Sequence, residues 1–157
     1  MKIFAPLTLV MAMSAGAALA QSTVPMNGTM TGKASAKYYN LGEGHVVLHQ
    51  QASYTLDFDG DTPFDGLPGE CFGAIDIING MPTGEGLCAW DDGAGNAMVT
   101  DWRVIGMTPD RASVGVWAIR GGTGKFAGVT GGGGYVSAND PGKGISTLDI
   151  TGAATMP

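Results

Sequence analysis

Charged residues are scarce in this chain, at 14% of 157 positions, where soluble domains average about 25%. Basic residues are the scarcer kind: 8 Lys and Arg stand against 14 Asp and Glu, a net charge of −6. That balance excludes partners held by phosphate neutralisation, nucleic acid and anionic membrane surfaces among them. Helical periodicity is missing beyond the first twenty residues, so the body of the chain should be almost entirely β. Only two histidines and two cysteines are present, which leaves little for imidazole or thiolate metal chemistry. No serine, histidine and carboxylate can be assembled from spacing, and hydrolase chemistry has no positive support.

The one long apolar run lies at the start. Lys2 precedes an apolar stretch from Ile3 to Met13, and Ala18-Leu19-Ala20 stands before Gln21. This is the pattern of a secretory signal peptide over residues 1–20, too short and too lightly flanked for a membrane anchor. No cysteine follows the cleavage point, so no lipid anchor is expected. Residues 21–157 suit a single domain with one core, in a periplasmic or secreted protein.

What the chain has in abundance is glycine, 27 residues, beside a hydrophobic fraction of 44%. Apolar content at that level sustains a core, so the glycines read as β turns rather than as disorder. They are densest from Ser113 to Ser137, SVGVWAIRGGTGKFAGVTGGGGYVS. Period-two alternation through Val114, Val116 and Ala118 predicts a strand that stops at Gly121. Gly121, Gly122, Gly124 and Gly128 allow a sharp corner that tucks Phe126 back onto the sheet. Gly131 to Gly134 then predict a strongly curved strand or a close backbone approach.

Two phosphate motifs fail on this stretch, and no cofactor is expected. A P-loop needs Ser or Thr after its lysine, whereas Phe126 follows Lys125. Gly122-Thr-Gly124-Lys-Phe-Ala127 satisfies a relaxed dinucleotide fingerprint, but the glycine run behind it cannot be the required helix. The segment GGTGKFAGVTGGGG instead resembles the GGTGxFxGxxGxG signature of the allene oxide cyclase-like and dirigent-like barrels. No plant-type catalytic motif aligns. Read with the leader, the resemblance implies an exported bacterial member with an eight-stranded antiparallel barrel, and cyclase or isomerase chemistry for some relatives.

Eight candidate strands support that architecture: near Val24 to Ala34, then His45 to Phe58, Glu70 to Ile78, Gly84 to Trp90, Asn96 to Gly106, the Ser113 strand, Thr130 to Ala138 and Ile145 to Ala153. Residues 37–44 are expected to be a loop. Regular spacing with turn signals in each gap suits an up-and-down barrel, with a β-sandwich as the alternative. In the second strand, Val46, Leu48, Ala52, Tyr54, Leu56 and Phe58 share one face, and His45 and His49 lie on the other. Four strand rises put those histidines about 13 Å apart, too far to chelate one ion. In the fifth, Met98, Thr100, Trp102 and Val104 oppose Val99, Asp101, Arg103 and Ile105.

The remaining polar motifs read as structure. Asp57 to Asp65 has cation-like carboxylate spacing, but Thr62 and Pro68 stand where an EF-hand needs Gly and an acidic ligand. Asp91 to Asn96 is a second acidic turn, and no metal site is expected. Cys71 and Cys88, an even pair on neighbouring strands of an exported chain, are expected to form a disulfide.

A barrel of eight strands is just wide enough to be filled by side chains or to hold one small ligand. Tyr54, Trp90, Met98, Trp102, Trp117 and Tyr135 therefore either line a pocket for an apolar or aromatic molecule or simply fill the core. Three functions follow. One is a binder of a small hydrophobic molecule. Another is a cyclase or isomerase assisted by Glu70, Asp101 or Tyr135. The third is a non-catalytic module whose apolar outer face makes a homo-oligomer.

Overall fold

A computed structural model describes residues 21–140 and 142–157; the leader over residues 1–20 lies outside the described residues. The strands are β1 (Ser22–Pro25), β2 (Gly28–Gly42), β3 (His45–Thr55), β4 (Pro68–Ile78), β5 (Met81–Asp91), β6 (Ala97–Met107), β7 (Ser113–Gly122), β8 (Thr130–Asp140) and β9 (Ile145–Met156). They form one antiparallel sheet in the order β1-β9-β2-β3-β4-β5-β6-β7-β8, and an additional β8–β9 ladder closes it into a barrel. Closure excludes the sandwich and leaves no free sheet edge at the seam.

Several expected boundaries are corrected. The first candidate strand is two segments, β1 and β2, laid end to end along β9, with Pro25 pairing Ala153 and Gly28 pairing Ile150. At the break between them, the Asn27 side-chain oxygen accepts a hydrogen bond from the Gly152 N–H. The loop expected over 37–44 is strand as far as Gly42, in register with β3 from Lys37↔His49 to Asn40↔Val46. Both faces of that arm are exposed, so no burial alternation marked it; the β3 template organises it instead. The β4–β5 turn is Asn79-Gly80, with φ of 50° and 81°, the left-handed pair that a two-residue hairpin with matching twist needs.

β3 ends at Thr55 rather than Phe58. Leu56 and Phe58 remain buried, but in a loop that crosses one end of the barrel. Asp65 staples this loop by accepting hydrogen bonds from the Phe58 and Thr62 N–H groups, at 3.0 and 2.7 Å. Burial pushes its carboxyl pKa up, yet these bonds and one from the Thr62 side chain outweigh it and hold the pKa below the ordinary value. Of the carboxylates spaced along this segment, Asp65 thus serves to hold the loop. The second acidic turn behaves alike, with Asp91 and Asp92 accepting from the Gly93 and Ala94 N–H groups.

The glycine-dense corner is a single 3₁₀ turn, Gly124–Phe126, with no phosphate-binding helix after it. Gly121, Gly124 and Gly128 have φ of 154°, 59° and 79°. Gly122 does not: it is small because a Cβ there would press on the Phe126 carbonyl oxygen at 2.6 Å. Phe126 is fully buried and stacks on Phe64, ring centroids 5.3 Å apart, while Phe58 meets Phe64 edge-on at 6.5 Å. These rings, with Leu56 and Leu67, plug the barrel end that carries loops 56–67 and 123–129. The close approach expected at Gly131 to Gly134 is present, since a Cβ on Gly131 or Gly133 would strike the backbone of β9.

Candidate ligand cavity

The inner face is set by register. Residues at one level of the barrel form a row, and the row through Trp102 runs Ala36↔Gln50↔Gly73↔Gly86↔Trp102↔Trp117. Apart from Gln50, one side of this row is small and the other is indole. The next row towards the plug contains Ala34, Ala52, Cys71, Cys88 and Thr100 in the same way. Large rings lie flat across neighbouring glycines: Trp102 over Gly73 and Gly86, Trp90 over Gly69, Tyr54 over Gly32, Tyr135 over Gly115, and Trp117 over Gly152. A side chain on those glycines would occupy the space the rings take. The rings consequently sit against the wall, and the axis of the barrel stays open.

The result is a cavity of about 370 Å³. Leu56 and Phe58 floor it above the aromatic plug, and Tyr38, Gly80, Arg111, Asn139 and Asp140 rim the other end. All six residues singled out as pocket candidates, Tyr54, Trp90, Met98, Trp102, Trp117 and Tyr135, lie on its wall. So do both halves of the Cys71–Cys88 disulfide, which bridges directly opposed positions of β4 and β5. Inward Gln50 is an additional wall residue that composition alone did not single out. Its even position on β3, shared with Leu48 and Ala52, was the available signal.

Several polar side chains on the wall have partners within the protein. Trp90 Nε1 donates to Thr100 Oγ1 at 3.0 Å, and Trp117 Nε1 is shared between the Gly134 and Thr151 carbonyls at 3.2 and 3.3 Å. The Tyr54 hydroxyl donates to Ser146 Oγ at 2.6 Å, and Ser146 Oγ lies 3.4 Å from Ser137 Oγ. Burial raises the Tyr54 pKa, partly offset by that bond. Burial also pushes the Tyr135 phenol well above its usual range, reinforced by the nearby Tyr54 phenol. Trp102 Nε1 is buried and has no partner among the described residues.

Two residues considered as catalytic acids are elsewhere. Glu70 is exposed on the outer face, and Asp101 pairs there with Arg120 at 2.8 Å, opposite in direction to Trp102. His45 is also outside the cavity, 2.7 Å from Asp76. Tyr135 alone of the three proposed assisting groups faces the cavity.

No protein-family model matches this chain, and no curated protein matches it. Among solved structures it is similar to the pterocarpan synthase dirigent protein GePTS1, with a TM-score of 0.51 and 16% sequence identity over 96% of this chain and 99% of that one. At that identity the likeness concerns the fold alone: the chain folds as a barrel like that of the dirigent protein.

Proposed function

We propose that this barrel is a binding protein for a small, largely apolar molecule held in its central cavity. The observation that supports this most directly is an interior left open by design of the register: glycines, alanines and a disulfide oppose three indoles around about 370 Å³, within the size range of small-molecule sites. One end is plugged and the other is open, so entry has a single direction. The cyclase reading keeps only Tyr135 as a cavity group, since Glu70 and Asp101 point away from the space. Export is part of the proposal, supported by the leader pattern and by the disulfide, which persists in oxidising compartments.

The test uses N-phenyl-1-naphthylamine, an uncharged probe that fluoresces in apolar surroundings. Saturable uptake by the wild-type protein is expected, and Ala52→Trp, which fills the row of small residues, should abolish it while the barrel still melts cooperatively. Absence of uptake by the wild type, together with no co-purifying molecule in native mass spectra of protein from its own source, refutes the binding role. Export predicts a purified mass beginning at Gln21; an intact Met1 refutes it.

A further inference from the structure

Resting on that binding role, we propose that the molecule taken is uncharged and carries a hydroxyl or carbonyl oxygen that meets the Tyr135 hydroxyl on the β6–β8 wall. Charge is the first consideration. Among the described residues, Arg111 and Asp140 are the charged ones on the cavity surface, both exposed at the rim, and Asp140 is already 3.1 Å from Lys143. Below the rim an ionised carboxylate or ammonium would lose its water with no counter-charge to replace it. A ligand that reaches the indoles must be neutral.

The second consideration is which polar atoms are left without partners. Buried hydroxyls are nearly always hydrogen-bonded. Tyr54 donates to Ser146, Trp90 to Thr100, and Trp117 to two backbone carbonyls. Tyr135 is 9% exposed and lines the cavity, and among the described residues nothing hydrogen-bonds its hydroxyl. Its ring is laid over Gly115, and β8 pairs Tyr135 with that residue, which β7 in turn pairs with Val104 of β6. Trp102, whose buried Nε1 also lacks a partner among the described residues, belongs to that same β6 strand. Gln50 projects inward from β3 and adds an uncharged amide. A phenolic hydroxyl both donates and accepts, so an alcohol, phenol or ketone oxygen completes Tyr135, whereas a pure hydrocarbon leaves it unsatisfied.

Displacement of N-phenyl-1-naphthylamine by naphthalene, 1-naphthol and 1-naphthoate at neutral pH tests this. In the wild type, 1-naphthol should displace best and 1-naphthoate worst. Tyr135→Phe should reduce the ratio of naphthol to naphthalene affinity by about 2- to 12-fold, the value of one hydrogen bond; Tyr39→Phe, on the outer surface, should leave the ratio unchanged. Tightest binding by naphthoate, or a ratio unmoved in Tyr135→Phe, overturns the inference while leaving apolar binding intact. If none of the three displaces a probe that does bind, the oxygen-directed site is refuted. A wild type that takes up no probe brings down the binding role and this inference together.

Discussion

Replacing Gly86 by alanine tests the principle that keeps the cavity open. A Cβ at Gly86 would fall against the Phe72 carbonyl oxygen and within 2.5 Å of Trp102 Cε2. Ordinary contact requires the indole to withdraw by about 1 Å. The backbone oxygen can withdraw only by spreading the β4–β5 ladder, which the adjacent Cys71–Cys88 bridge holds together. Overpacking of this kind costs about 1–3 kcal/mol, and this site belongs at the upper end because backbone must move. The entropy gained by removing a glycine from the unfolded chain offsets about 0.4–1 kcal/mol. The net loss should be about 2 kcal/mol, or about 4–8 °C in melting temperature for a domain of this size. Gly106 is the control: it is a strand glycine with ordinary φ and nothing within 4 Å of its Cβ position, so Gly106→Ala should melt within about 3 °C of the wild type. In a Trp102→Val background, Gly86→Ala should cost less, with a coupling above about 0.5 kcal/mol. Thermal unfolding followed by circular dichroism, with the disulfide intact, reads all three. Gly86→Ala melting within 2 °C of the wild type, or Gly106→Ala falling as far, would refute the reasoning.

Other perturbations have equally definite outcomes. Reducing the disulfide, or the double change Cys71→Ala with Cys88→Ala, should lower stability by about 3 kcal/mol for a loop closed across 17 positions; urea midpoints with and without reductant measure it. Phe126→Ala removes a fully buried ring from the plug and should cost about 3–5 kcal/mol, visible in the same titration. Asp65 has a lowered folded-state pKa, so its contribution is present above the unfolded carboxyl value near pH 4 and is lost as pH falls through the folded value. The stability gap between the wild type and Asp65→Ala should therefore be widest at neutral pH and close in acid; a gap constant down to pH 2 would contradict the staple. Tyr54 and Tyr135 have raised pKa values, so stability should decline as pH climbs past the ordinary phenol value near 10, where the unfolded chain ionises first.

Much of the wall was legible in the chain because a strand has a fixed period of two. Once Leu48 and Tyr54 are placed inward, Ala52 follows, and Met98, Thr100, Trp102 and Val104 were separable from Asp101 and Arg103 for the same reason. The disulfide was legible because two cysteines allow one pairing. The arm of β2 beyond Lys37 was not, because its strand state comes from hydrogen bonding to β3 and leaves no burial pattern. Nor was the plug, because Phe64 is brought to Phe126 by a loop crossing and not by periodicity.

Local sequence thus determined the β class, the turns, the glycine corner and which side chains share a face, since each depends on neighbours a few residues apart. Only the tertiary structure decided that Glu70 and Asp101 face outward, that glycines lie beneath indoles, and that an open space remains between them. Those facts depend on the register between strands distant in the chain and on the meeting of β8 with β9, where a shift of one residue would turn the same aromatics outward.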